Sequence, residues 1–144
     1  MNKAKILLRS SAALLLIHIA GHLFGHGTWK LSEDPEQQSV IGEMTGKKFP
    51  FMGALRSFGD YYEGYGWLIT IALLFFTLLL FFIAGAGAEC RRLSVKILMT
   101  LSLSLTAWSM LEFRYFFVFA GAITLLAAIL TVAGTLVLLR AERR

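Results

Sequence analysis

Charge, cysteine and proline are all scarce in this chain. Of its 144 residues, 16% are charged and 57% hydrophobic, with two prolines and one cysteine. Soluble domains carry about 25% charged and about 45–50% apolar residues. The balance therefore excludes a soluble globular protein and points to a membrane. A lone Cys90 excludes an intrachain disulfide. It lies in the basic stretch ECRRLS, which the charge distribution places in the cytoplasm, where thiols stay reduced. Pro35 and Pro50 both fall outside the long apolar runs, so the proline-broken helix pairs of many secondary transporters are absent. No nucleotide-binding glycine loop, GxSxG or His-Glu-x-x-His motif occurs, and the cations are too scattered for a nucleic-acid surface.

What the chain does have is long apolar runs. A helix needs about 20 apolar residues to cross the hydrocarbon core. Four stretches meet that, at about 4–26, 66–86, 95–112 and 115–139. None alternates in the manner of a barrel strand, so the expected fold is all-α. It is a single integral-membrane four-helix bundle, up-down-up-down, over residues 1–144. The opening MNKAKILLRSSAALLLIHIAG imitates a signal peptide. Cleavage after Ala20 would put His18 where a small residue is required, so the segment reads as a retained anchor.

Lys and Arg near the span ends set the orientation. Lys3, Lys5, Arg9, Arg91, Arg92, Lys96, Arg140, Arg143 and Arg144 gather on one side, against Lys30, Lys47, Lys48, Arg56 and Arg114 on the other. Both termini are therefore expected in the cytoplasm of a bacterial cell, with the protein in the inner membrane. The connection 27–65 lies outside. Asp34-Pro35 fits the N-cap and first position of a short helix, with Val40, Ile41 and Met44 on one stripe and Gly46 at its end. The stretch KFPFMGALRSFGDYYEGYGW mixes apolar and charged residues as an interfacial segment does. Tyr61, Tyr62, Tyr65 and Trp67 form the aromatic belt before the second span. The connection is either a passive connector or a lid over a cavity.

All three histidines, His18, His22 and His26, lie four apart in the first span, so they share one helical face. A neutral imidazole keeps one donor and one acceptor to satisfy. Lipid tails offer neither, so the ladder should face inward. Gly21 and Gly25 beside it would let a second helix come close. The third span offers Ser102, Thr106 and Ser109 at helical spacing, then Trp108, Glu112 and Arg114. Counting from Lys96, Glu112 lies roughly 24 Å along the helix, near the level of His22. Glu63, Tyr62 and Tyr65 reach the same external level from the second span. Thr124 and Thr131 are the polar groups of the fourth. One polar pocket in the outer half would collect His18, His22, His26, Glu112 and Glu63, with Ser109, Trp108, Arg114, Tyr62 and Tyr65 in support.

Three chemistries suit such a pocket. Two histidines at i and i+4 with a carboxylate such as Glu112 form a three-ligand set for zinc, iron or copper. Haem would need a second copy of the chain or a methionine ligand, Met99 or Met110, because every histidine is on one helix. A histidine and a carboxylate can instead perform acid–base chemistry on a lipid-soluble substrate. The third reading is non-enzymatic: binding of a quinone or lipid, or an accessory role in a homo-oligomer or larger membrane complex. The segments RSSAALLLIHIAGHLFG and FMGALRSFGDYYEGYGW, with four spans over nearly the whole chain, look like small bacterial membrane proteins. They are distantly similar to DoxX-like four-helix proteins. That resemblance implies a four-helix membrane architecture, and some of its members are linked to quinone redox chemistry.

Overall fold

The computed structural model describes residues 2–86 and 90–142. In chain order it comprises α1 (Asn2–Thr28), α2 (Pro35–Gly46), β1 (Lys48–Phe51), β2 (Ala54–Ser57), α3 (Phe58–Gly85), α4 (Arg91–Tyr115) and α5 (Val118–Glu142). Helices α1, α3, α4 and α5 are each long and apolar enough to cross a membrane. The chain is thus an all-α polytopic membrane protein with one small two-stranded sheet. Arg143 and Arg144, two of the cations from which an orientation is expected, and Glu89 of the ECRRLS stretch lie outside the described residues. Cys90 is exposed.

The chain forms two compact units, Met1–Ile19 with Leu73–Arg144, and Ala20–Ala72. Parts of all four long helices make the first, and its interior follows from side-chain periodicity. On α1 the buried residues are Ala4, Leu8, Ser11, Ala12, Leu15, His18 and Ile19, steps of three and four that trace one stripe. On α4 the stripe runs through Ser94, Leu98, Leu101, Ser102, Leu105, Ser109 and Glu112. On α5 it runs through Ala120, Thr124, Ala127, Thr131 and Thr135, and on α3 through Leu73, Thr77 and Leu80. The largest hydrocarbons lie outside. Phe75, Phe82, Leu103 and Met110 are all exposed. Small and hydroxyl-bearing residues inside with bulky ones outside is the arrangement that a lipid solvent favours.

The buried hydroxyls have partners. Thr77, Ser102, Thr131 and Thr135 each donate to the carbonyl four residues earlier. Ser11 Oγ lies 2.8 Å from the Ala127 carbonyl and 2.9 Å from Thr131 Oγ1, and its one hydrogen goes to either, joining α1 to α5. Helices α4 and α5 meet through the short turn Phe116–Phe117. Just beyond it, Gly121 lies against the Phe113 ring, where an added Cβ would come within 2.8 Å. That turn moves the start of the fourth span from about 115 to Val118.

In the second unit, Asp34 caps α2 by accepting from the Glu36 and Gln37 amides, with Pro35 in the first turn. The expected Val40–Met44 stripe is only partly covered, and α2 has no fully buried residue. Gly59 at the start of α3 packs against Thr45, close enough that a Cβ would lie 2.8 Å from Thr45 Cγ2. The segment expected to lie along the interface is instead a β-hairpin over 48–57. Its register pairs Phe51 with Ala54 around the two-residue turn Met52–Gly53. Both turn residues have positive φ, 48° and 84°, as the tight turns that match strand twist require. Helix α3 also starts eight residues before the expected span. Ser57 and Asp60 explain this by capping each other. The Ser57 amide donates to Asp60 Oδ2 at 2.8 Å, and the Asp60 amide donates to Ser57 Oγ at 3.1 Å, a reciprocal pair that seeds a helix. Tyr61, Tyr62, Glu63 and Tyr65 are therefore helical.

Candidate functional site

The inner stripes of α1, α4 and α5 bring His18, Glu112 and Thr124 together. His18 Nε2 lies 3.2 Å from Glu112 Oε1. His18 Nδ1 lies 3.0 Å from Thr124 Oγ1. Trp108, one turn before Glu112, donates its indole N–H to the same Oε1 at 2.9 Å. Only 8% of His18 and 5% of Glu112 is exposed, and Thr124 is fully buried. Trp108 and Phe76 are half-buried and meet edge to face, with ring centroids 5.8 Å apart. Ser109 is buried on the same α4 stripe, one turn from Glu112.

Low polarity limits the protonation states of this group, because an uncompensated charge there is very costly. Two neutral states differ by one proton along the Nε2–Oε1 contact. In one, an imidazolium faces a carboxylate. In the other, a carboxylic acid donates to a neutral imidazole at Nε2. Both leave a hydrogen on His18 Nδ1, so Thr124 Oγ1 accepts in each. Moving one proton between Nε2 and Oε1 interconverts them. The arrangement can thus hold a proton and present it, or the vacancy left by it, without changing its net charge.

A second cluster belongs to residues 20–72 and centres on Glu63. Lys30 Nζ lies 2.6 Å from Glu63 Oε1, and Trp29 donates its indole N–H to the same oxygen at 3.1 Å. His26 Nε2 lies 3.2 Å from Oε2. Trp29 also packs on Tyr62, centroids 4.6 Å apart, and His26 meets Trp67 edge-on. His22 Nε2 donates to the Gly66 carbonyl at 2.9 Å, which fixes its tautomer. The His22 and His26 rings stack within 4° of parallel. Gly66 is required there: a Cβ would lie 2.2 Å from His26 Nδ1.

The three imidazoles of the expected pocket meet different partners, His18 within residues 1–19 and 73–144, His22 and His26 within residues 20–72. Glu112 pairs with His18 rather than at the level of His22. His22 is held by a backbone carbonyl, and His26 goes to Glu63. Arg114 is exposed, its guanidinium 5.7 Å over the Tyr115 ring, and joins neither cluster. Tyr65 is 64% exposed and takes no part. Among the described residues, no group of three or more His, Cys, Asp or Glu is gathered as a metal site requires. The cause is visible: each imidazole is engaged by its own neighbour. The methionine ligands expected for haem also fail, since Met99 and Met110 are on outer faces, 59% and 65% exposed.

Thr124 was legible only as a polar residue of the fourth span, and Trp29 and Lys30 not as site residues at all. Helical spacing holds the missed signal. Trp29 and Lys30 stand three and four residues beyond His26, a helical spacing, although the structure has them in the turn just after α1. No family model, curated protein or solved structure matches the chain.

Removing one partner of a buried pair costs about 3–5 kcal/mol, whereas replacing both with hydrocarbon is often neutral or stabilising. His18→Leu alone should therefore lower stability by that amount, and His18→Leu with Glu112→Leu should recover most of it, as read by unfolding in mixed micelles. In the second cluster, Gly66→Ala should destabilise by about 1–3 kcal/mol through overpacking against His26. Gly64→Ala, with open space around it, should be neutral or stabilising in the same assay.

Proposed function

We propose that this polytopic protein binds a small apolar molecule at the His18–Glu112 pair and exchanges a proton with it. The carrying observation is that pair itself: 3.2 Å apart, buried, and braced by Thr124 and Trp108. Ionisable side chains inside a membrane are expensive and rare, and mark functional sites by default. A neutral couple that can shift one proton suits acid–base work in a dry site. The ligand is a lipid-soluble molecule with an oxygen that can hydrogen-bond, of quinone or lipid type. Trp108 is the group it would displace, since the indole is half-buried and already donates to Glu112. The reading favours acid–base chemistry over a metal centre because the carboxylate meets one imidazole rather than two.

The test is an organic extract of the purified protein, analysed by mass spectrometry, with infrared spectra of the same samples. Wild type should carry an apolar molecule in stoichiometric amount, and Glu112→Gln and His18→Gln should lose it while Ser104→Ala keeps it. The infrared carboxyl signal missing from Glu112→Gln should shift when the molecule is removed. A wild-type protein that carries no such molecule, with a carboxyl signal unmoved by added quinones, overturns the proposal.

The same reading sets both termini in the cytoplasm of a bacterial cell, with the protein in the inner membrane. It rests on the excess of Lys and Arg at Lys3, Lys5, Arg9, Arg91, Arg92 and Lys96. Cys90 is the chain's one thiol and is exposed, so it reports on this directly. A membrane-impermeant maleimide should label Cys90 only after spheroplasts are permeabilised. Labelling of intact spheroplasts reverses the topology.

A further inference from the structure

We propose that the tip of the β1–β2 hairpin is an insertion finger that docks on a bilayer surface rich in anionic phospholipid. Phe51, Met52 and Leu55 at the tip are 56%, 91% and 57% exposed. Three neighbouring apolar side chains left this open need an apolar phase to cover them. The hairpin's other aromatic is already used: Phe49 packs on Phe58 and Tyr61, with centroids 4.9 Å and 6.1 Å away. One side chain thus ties the hairpin to α3, while Phe51, Met52 and Leu55 at the tip stay open.

The turn adds an independent sign. Met52 has a φ of 48°, where glycine, asparagine or aspartate is the usual occupant. A methionine there carries backbone strain and gains no packing within the chain. Residues that break a local rule without a local return mark sites of function. A long flexible thioether at the most exposed point of the tip suits an irregular apolar surface.

Charge decides the kind of surface. Lys47, Lys48 and Arg56 stand at the base of the hairpin, all exposed. Lys47 pairs with Glu43 at 3.4 Å, and Asp60 is engaged in the helix cap with Ser57. The Arg56 guanidinium donates to the Leu55 carbonyl, one residue away. The base therefore keeps an excess of positive charge behind an apolar tip, which is the layout of segments that bind anionic membrane interfaces. The hairpin runs straight into α3, whose Tyr61, Tyr62, Tyr65 and Trp67 supply an aromatic belt.

The full chain in Cys90→Ser background, carrying Met52→Cys labelled with an environment-sensitive bimane, tests this in nanodiscs. Leu55→Cys serves as a second site across the turn, and Ser39→Cys on α2 as the control. In phosphatidylglycerol-rich discs the tip labels should emit to the blue of the control. They should be quenched by lipid spin-labelled high on the acyl chain and protected from iodide. Lys48→Glu with Arg56→Glu should reduce the lipid quenching in phosphatidylglycerol discs more than in pure phosphatidylcholine. Tip labels quenched by iodide like the control overturn the proposal. So does protection from both quenchers, which would mean cover by protein such as a second copy. Lipid quenching unaffected by the charge reversal overturns the anionic preference.

Discussion

A polar group in hydrocarbon must find its partner within the protein, and nearly everything in this chain follows from that constraint. Backbone amides meet it by forming four long helices. Buried hydroxyls meet it by donating to the carbonyl one turn back, or in the case of Ser11 by reaching from α1 to Ala127 and Thr131 on α5. The imidazoles meet it in a third way, each on a different acceptor. The interior accordingly places small and hydroxyl-bearing side chains among leucines such as Leu8, Leu73 and Leu105, and the phenylalanines are left for the surface.

That constraint also separates the two histidine clusters chemically. His18 faces a carboxylate that an indole N–H also reaches. His26 faces a carboxylate already matched by Lys30 at 2.6 Å. The His18–Glu112 couple can share one proton between its members, whereas Glu63 already has Lys30 as a counter-charge. The first arrangement suits a group that gains and loses a proton in place; the second suits a clamp that ties the end of α1 to the start of α3. His22 adds to that clamp through its bond to the Gly66 carbonyl on α3. Even spacing along one helix therefore yields three imidazoles with three different partners.

Much of the fold was legible because helix periodicity and apolar length are local properties. The four spans, the Asp34–Pro35 cap and the short helix to Gly46 all follow from neighbouring residues. The burial of His18 and Glu112 was legible too, from the cost of leaving either in lipid, though counting along the helix set Glu112 level with His22 instead. The hairpin was not, because its turn places a methionine where turn chemistry calls for glycine or asparagine. The start of α3 at Phe58 was hidden in the polar stretch SFGD, whose capping role outweighs its low apolar content. The division of the ladder was also hidden. Spacing fixes the face on which three histidines lie, but only the packing of α3, α4 and α5 decides what each one meets.

The pairing of His18 with Thr124 spans 106 residues, and the chain is made from its N-terminus. At about 5–20 residues per second, the imidazole leaves the ribosome about 5–20 seconds before its hydroxyl partner exists. Glu112 and Thr124, by contrast, are separated by a single tight turn and emerge almost together. During biogenesis the first helix must therefore be held by the insertion machinery or at the water boundary with an unsatisfied ring. The α4–α5 hairpin brings both partners of that ring together, so until those two helices are made the buried end of the opening helix has an imidazole with neither of them to meet.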